Sequence, residues 1–187
     1  LRNPGKNILI IAPTDLQAGE LFDKISNNIK NSILFSEFES IMKRTAILKN
    51  GSKISAHTTG DNGANIRGLT GVVIIIEEAA FIRDSIVNEV IMPMGAATDA
   101  KIIKISTPFG MNHVYKSAFD EKWKLHQISY KDAIAVGQIK AEFIEEQRNL
   151  LTDMQFQTEY GAEFIADQDA YFKIETIQAA IAEYEMK

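Results

Sequence analysis

Two adjacent glutamates, Glu77 and Glu78, are the residues whose type and position best suit chemistry. They directly follow five β-branched apolar residues, 72–76, a run typical of a strand that is covered on both faces of a parallel sheet. Side chains just beyond the carboxyl end of such a strand lie where α/β proteins bind ligands. One carboxylate could hold Mg²⁺ on nucleotide phosphates while the other orients or deprotonates an attacking water. Alternatively, the two acids begin a helix, whose first turn favours negative charge.

Three further polar residues could act with this pair. Arg67 lies on a glycine-rich loop, residues 59–71, from which a guanidinium group can reach phosphate oxygens, although an ordinary surface arginine is the alternative. Ser106 and Thr107 come at the end of another apolar run, residues 101–106. Their hydroxyls could sense a γ-phosphate or its water, or they could cap the helix that follows.

The elements that must position these side chains alternate between strands and helices, which indicates an α/β fold with a mostly parallel sheet flanked by helices. The Asn50-Gly51 pair between two alternating runs predicts a β-hairpin insertion with a two-residue turn. The patterns predict strands at residues 7–12, 72–76, 101–106 and 123–128. They predict helical segments at residues 15–28, 33–42, 84–93, 111–119, 139–151, 152–160 and 174–186.

Composition sets limits on the possible partners. The 187 residues are 45% hydrophobic and 24% charged, with no cysteine and a net charge of −5. The absence of cysteine excludes disulfides and thiolate metal sites. The negative charge argues against binding a polyanion through bulk electrostatics, so any DNA contact would be local. Lys43, Arg44, Lys49 and Lys53 near the hairpin could provide one, or could form a solvated face. No apolar run approaches the ~20 residues of a membrane helix, so no membrane partner is expected.

Taken in order, five segments resemble the ATPase domain of the tailed-phage terminase large subunit, in particular its T4-like form. The resemblance covers most of the chain. The segments are ILIIAPTDLQA (residues 8–18), IRG (66–68), VVIIIEEAAFI (72–82), ISTPFGMNHVY (105–115) and FQTEYGAEF (156–164).

This resemblance implies a RecA-like P-loop NTPase core of the ASCE group, with the ATPase domain at residues 1–165 and a linker towards a nuclease domain at residues 166–187. It implies ATP and Mg²⁺ as cofactors. Glu77 would hold Mg²⁺ and Glu78 would activate water. Arg67 would stabilise charge in a neighbouring subunit's transition state, and Ser106 and Thr107 would couple hydrolysis to movement.

The resemblance also implies partners and a location. The expected partners are double-stranded DNA, the portal protein of the procapsid, the small terminase subunit and further copies of the chain in a ring, by resemblance a pentamer. The expected location is the host cytoplasm, with transient attachment at the portal vertex.

Two departures from the family pattern affect the functional prediction. Glu77 stands where the family usually has aspartate, which changes the reach of a metal ligand. No G-x-x-x-x-G-K-[ST] phosphate loop occurs in the sequence. The chain is therefore expected to be a piece of a longer motor ATPase and to be inactive or barely active alone. The alternatives are a degenerate prophage remnant or non-catalytic binding module, and a superfamily-2 helicase-like ATPase.

Overall fold

The computed structural model describes residues 4–165, and the chain divides into two compact units. The first unit ends at Ser106 and the second begins at Thr107. The predicted helix at residues 174–186 lies outside the described residues. The division of the chain at residue 165 into an ATPase domain and a linker stays a prediction.

The first unit is built on a six-stranded sheet. Its strands are β1 (Asn7–Ala12), β2 (Phe38–Ile41), β3 (Thr45–Leu48), β4 (Lys53–Thr58), β5 (Val73–Ile76) and β6 (Lys101–Lys104). Their order in the sheet is β2-β3-β4-β1-β5-β6. The four strands β4, β1, β5 and β6 are parallel, while β3 runs antiparallel to both β2 and β4. This arrangement confirms the predicted α/β fold with a mostly parallel sheet and a hairpin.

Helices cover both faces of this sheet, which explains the uninterrupted apolar runs of β1 and β5. Helix α1 (Asp15–Lys30) packs on one face, where Phe22 and Ala18 join Ile10 in a buried cluster. A second helical stretch covers the other face, where a methyl group placed on Gly95 would lie 3.3 Å from Ile102 and 3.7 Å from Ile74. The strands that carry the candidate site are therefore held rigidly from both sides.

The hairpin between β3 and β4 confirms the prediction from Asn50-Gly51, but its turn is longer than predicted. Leu48 and Ser52 bracket a three-residue connection, in which the Gly51 N–H donates to the Leu48 carbonyl at 2.9 Å. Of the two turn residues only Gly51 has a positive φ, at 80°. This geometry is that of a type I turn followed by a left-handed residue, which needs one glycine rather than two positive-φ residues.

The amphipathic segment predicted at residues 33–42 is not one helix. A 3₁₀ helix, Ile33–Glu37, leads into strand β2, and Ile33 is 96% exposed instead of lying in the core. The preceding helix α1 begins with Thr14 as its N-cap and continues to Lys30, past Asn27-Asn28, where the sequence predicts its end. The open edge of β3 provides backbone hydrogen bonds for a further strand, so tertiary pairing overrides the helical spacing.

The helix predicted to end at Pro93 continues through it. The stretch comprises α2 (Asp84–Ile86), a π-helical turn (Val87–Ile91) and α3 (Met92–Ala96). In the π turn, the Met92 N–H donates to the carbonyl of Val87, five residues earlier. Proline lacks an N–H and its ring crowds the preceding turn, and a wider turn before it lets the helix continue.

The second unit contains four short helices in its described residues: α4 (His113–Ala118), α5 (Tyr130–Ala135), α6 (Ala141–Leu150) and α7 (Asp153–Glu159). Its core contains Phe156 and Ile144, and the Arg148 guanidinium lies 4.3 Å from the Phe156 ring centroid. Thr152 caps α7 through a capping box with Gln155, which confirms the predicted helix start. The strand predicted at residues 123–128 is wrong, since that largely exposed segment joins no sheet. No helix among the described residues is long and apolar enough to cross a membrane.

Candidate active site

The predicted carboxylate pair lies at the carboxyl end of β5, between two neighbouring strands. The Glu77 N–H donates to the Ile11 carbonyl of the β1 strand at 2.8 Å, so strand pairing extends to this residue. On the other side, the Ile105 N–H donates to the Ile76 carbonyl at 2.9 Å. Glu77 is therefore held on an interior strand of the sheet, at the edge where parallel α/β sheets bind ligands.

Glu78 has a conformation that a glutamate rarely adopts. Its backbone is left-handed, with φ 48° and ψ 45°, and the chain turns there into a short 3₁₀ helix, Ala79–Phe81. Glu78 occupies the N-cap position of that helix, as the alternative interpretation expects, but its side chain makes no capping hydrogen bond. The Oε2 atom of Glu78 is buried and has no hydrogen-bond partner among the described residues. Unfavourable backbone conformations of this kind concentrate at functional sites.

The electrostatics of the pair favour a bound cation. Burial raises the pKa of the half-buried Glu77 carboxyl, the adjacent Glu78 charge raises it further, and Lys24 opposes both effects. A divalent cation would neutralise the repulsion and give the buried Glu78 oxygen a partner. Among the described residues, no group of three or more His, Cys, Asp or Glu side chains could hold a metal ion. The pair alone still fits Mg²⁺, which commonly takes one or two carboxylates and retains several waters.

Of the two hydroxyl residues, Ser106 contacts the turn that follows the pair. Ser106 Oγ accepts a hydrogen bond from the Ala80 N–H at 3.1 Å, two residues beyond Glu78. Thr107 is half-buried and begins the second unit, and its role stays a prediction. The alternative role of both residues as helix caps is wrong, because Asn112 caps α4 by accepting from the N–H groups of Val114 and Tyr115.

Arg67 lies away from the carboxylate pair. It is exposed and follows a 3₁₀ helix, Ala64–Ile66, in the loop that leads to the amino end of β5. It lines a groove of about 310 Å³ with Leu69 and with residues of the helical stretch 84–96, among them Glu89 and Pro93. The four residues of β5 span ~13 Å at ~3.3 Å per residue. The groove also includes Thr70, three residues before β5 begins, whereas the pair directly follows the strand's carboxyl end.

Sequence reasoning missed Lys104, the last residue of β6. It is paired in register with Ile76 and is half-buried. Burial lowers the pKa of its ammonium group to about 8, although the charge of Asp84 acts in the opposite direction. A lysine inside an apolar run, on a strand predicted to lie beside the acid-bearing strand, was the available sequence signal.

The four basic residues near the hairpin do not form one patch. Arg44 lies beside Ala56 towards the carboxyl end of β4 and forms an ion pair with Asp15 at 3.0 Å. Lys53 is paired in register with Asn7 at the amino ends of the parallel strands, and Lys49 is in the connection that leads to it. The length of the hairpin strands separates the two groups, so their grouping in the sequence does not produce a single basic surface.

Comparison with known proteins identifies the family. Residues 1–179 match the family of terminase large subunits, T4likevirus-type, N-terminal. The terminase large subunit of Thermus phage G20c is 27% identical over 202 aligned positions, which cover 90% of this chain and 42% of that protein. The corresponding protein of Thermus virus P23-45 is 26% identical with the same coverage. The chain therefore spans less than half the length of these relatives.

Solved structures give the same result for the fold. The large terminase ATPase domain of Thermus phage P74-26 superposes with a TM-score of 0.71 at 25% identity, covering 88% of this chain and 79% of that one. The large terminase of a thermophilic bacteriophage, solved in complex with ADP, superposes with a TM-score of 0.60 at 17% identity, covering 87% and 42%. Because the family match spans nearly the whole sequence, this chain belongs to the terminase large-subunit family, in its T4-like, N-terminal type.

Proposed function

We propose that this chain is the ATP-hydrolysing part of a viral DNA-packaging motor, which uses ATP to move double-stranded DNA into a procapsid. The observation that carries the proposal is the conformation of Glu78. A left-handed glutamate lies at the carboxyl end of an interior parallel strand, and one oxygen of its carboxylate is buried without a hydrogen-bond partner in residues 4–165. Such a group is costly to maintain and is suited to a water or cation that is present during catalysis.

The two carboxylates would divide the work. Glu78 would orient the attacking water and accept its proton, and general bases of this kind contribute about 10²–10⁴-fold to rate. Glu77 would hold Mg²⁺, directly or through water. When bound, the Mg²⁺ would neutralise charge that develops on the transferred phosphoryl group.

Other residues would act around this pair. Ser106 and Thr107 would couple hydrolysis to movement at the end of β6. Arg67 would stabilise the transition state in a neighbouring copy, since the groove that it lines includes Thr70, before the amino end of β5, whereas the carboxylates follow the carboxyl end. An arginine supplied in this way is worth about 10³–10⁵-fold in nucleotide hydrolases.

The 187 residues by themselves should bind ATP weakly and hydrolyse it barely or not at all. They contain no glycine-rich loop followed by lysine and a hydroxyl residue, the sequence that surrounds nucleotide phosphates with backbone N–H groups. Tight ATP binding by this chain alone would contradict this part of the proposal.

The proposed partners follow from family membership. They are double-stranded DNA, the portal protein, the small terminase subunit and further copies of the large subunit in a ring, with five copies as the expected number. The proposed location is the host cytoplasm, with attachment to the portal vertex during packaging.

The experiment that tests the function is DNA-stimulated ATP hydrolysis by a protein extended upstream in the native reading frame. Glu78→Gln should lower kcat by about 10²-fold or more, because it removes the general base while keeping the size of the side chain. Glu77→Gln should instead raise the Mg²⁺ concentration needed for half-maximal rate. Glu20→Gln, on the exposed side of α1, is the matched control for loss of one negative charge.

Three outcomes would contradict the proposal. Hydrolysis by the Glu78→Gln variant at the parent rate would exclude Glu78 as the base. An unchanged Mg²⁺ requirement in Glu77→Gln would exclude Glu77 as the ligand. A folded extended protein without any hydrolysis would indicate a non-catalytic member of the family.

A further inference from the structure

Hydrogen bonds join the turn that carries Glu78 to the end of β6. The Ala79 N–H donates to the Ile105 carbonyl at 3.0 Å, and the Ala80 N–H donates to Ser106 Oγ at 3.1 Å. These contacts bind the two residues immediately after Glu78 to the neighbouring strand. A left-handed conformation of a non-glycine residue persists only where the surrounding structure enforces it. The two bonds are in the right place to do so.

The two bonds depend on the sequence in different ways. The Ile105 acceptor is a backbone carbonyl, which any residue at that position provides. The Ser106 acceptor is a side-chain oxygen, so the second bond exists only with a hydroxyl or a comparable acceptor at position 106. Among amino acids, threonine keeps such an oxygen on the β-carbon and alanine removes it. The residue type at position 106 therefore determines whether this second bond can form.

We propose that Ser106 is a positioning residue: by accepting the Ala80 N–H, it holds the Glu78 turn in the left-handed conformation. This inference rests on the proposed function only for its catalytic consequence. It gives Ser106 a role within its own unit that needs no contact with nucleotide. The hydroxyl keeps its own proton for a second hydrogen bond, so this role is compatible with one towards a phosphate or water.

The first test needs no catalysis and uses the 187-residue chain. Amide hydrogen exchange of Ala80, resolved by NMR, should accelerate about two- to tenfold in Ser106→Ala, as expected for loss of one ordinary hydrogen bond. The backbone chemical shifts of Glu78 should move away from left-handed values. Ser106→Thr should keep both signals at their parent values, because it retains the acceptor oxygen.

A matched control is available at the amino ends of the parallel strands, opposite to the end that carries Glu78. Ser52 Oγ accepts the Lys6 N–H at 3.2 Å, so Ser52→Ala removes the same kind of bond far from Glu78. It should accelerate exchange at Lys6 and leave Ala80 unchanged. Unchanged Ala80 exchange and Glu78 shifts in a folded Ser106→Ala chain would overturn the inference. If that variant does not fold, the temperature dependence of the Ala80 amide shift in the parent chain decides, since a steep, water-like dependence would also overturn it.

The second test concerns catalysis in the upstream-extended protein. Ser106→Ala should lower kcat by about 10- to 100-fold, the effect expected of a displaced catalytic group, with KM for ATP unchanged. Ser106→Thr should restore the rate. A fall in affinity with unchanged kcat would show a nucleotide ligand instead and overturn the positioning role. If the parent protein hydrolyses no ATP, the proposed function fails while the exchange result still decides whether Ser106 holds the turn.

Discussion

At the scale of single residues, Glu78 combines two unfavourable properties. Its φ of 48° lies in the region that glycine adopts freely, and one oxygen of its carboxylate is buried without a partner among the described residues. For an L-residue the left-handed conformation costs about 1–2 kcal/mol. The stability of the turn therefore does not explain a glutamate at this position.

These two properties predict that stability and activity separate at position 78. Glu78→Gly should raise the free energy of unfolding by about 0.5–1 kcal/mol, since relief of the left-handed strain exceeds the added entropy of glycine in the unfolded chain. Glu78→Gln keeps the strain and should show no comparable gain. Chemical denaturation of the three chains measures the difference. A glycine variant less stable than the glutamine variant would show that the turn is not strained.

Lys104 predicts a pH dependence at the same end of the sheet. Burial lowers the pKa of its ammonium group from 10.5 to about 8, so the unfolded chain binds more protons between these two values. Stability rises with pH wherever the unfolded state binds more protons. The parent chain should therefore gain stability relative to Lys104→Met as pH rises from about 8 towards 10.5.

Denaturation curves of both chains at several pH values measure this difference directly. Lys101→Met, which removes an exposed lysine from the same strand, is the control and should show no such change relative to the parent. If the difference in unfolding free energy between the parent and Lys104→Met stays constant over this range, burial does not lower the pKa of Lys104.

At the scale of secondary-structure elements, the sequence predicts an element correctly where neighbouring residues alone determine its structure. The sequence predicts strand β1 with its observed bounds, Asn7–Ala12, because a short run of branched residues between polar ends is typical of a buried strand. The carboxylate pair is predicted at the end of a strand for the same reason, because it directly follows another such run. The failures have tertiary causes: β2 forms because β3 offers an open edge, and the helix passes Pro93 through a π turn. Neither cause is visible in residue spacing.

The segment at residues 33–42 provides a direct test of this reading. A helical pattern would bury both Ile33 and Ile41, whereas the structure exposes Ile33 and packs Ile41 against the core cluster from strand β2. Ile33→Ala should change the free energy of unfolding by less than about 0.5 kcal/mol. Ile41→Ala should cost about 1–2 kcal/mol, the value for a half-buried side chain. Equal losses in denaturation experiments would favour the helical interpretation.

At the scale of the whole molecule, the first unit places the carboxylate pair and Arg67 in different parts of its surface. The carboxylates lie at the carboxyl end of β5, while Arg67 lies in the groove beside the helical stretch, towards the amino end. The four residues of β5 span ~13 Å, and helices pack on both faces of the sheet that contains it. In the proposed function, Arg67 would therefore act on the site of a second copy of the chain.

Mixing two inactive variants of the upstream-extended protein tests this role. Arg67→Ala and Glu78→Gln should each be nearly inactive alone, by about 10³-fold for the arginine. In a ring of head-to-tail contacts, an equal mixture forms intact sites at about a quarter of the interfaces, where a parental Glu78 meets a parental Arg67. The mixture should then recover up to about a quarter of the parent rate.

Glu77→Gln mixed with Glu78→Gln should recover nothing, because both changes lie in the same site. A mixture of Arg67→Ala and Glu78→Gln that stays inactive despite assembling would leave Arg67 without a catalytic role across copies, and its groove would then be a contact surface alone.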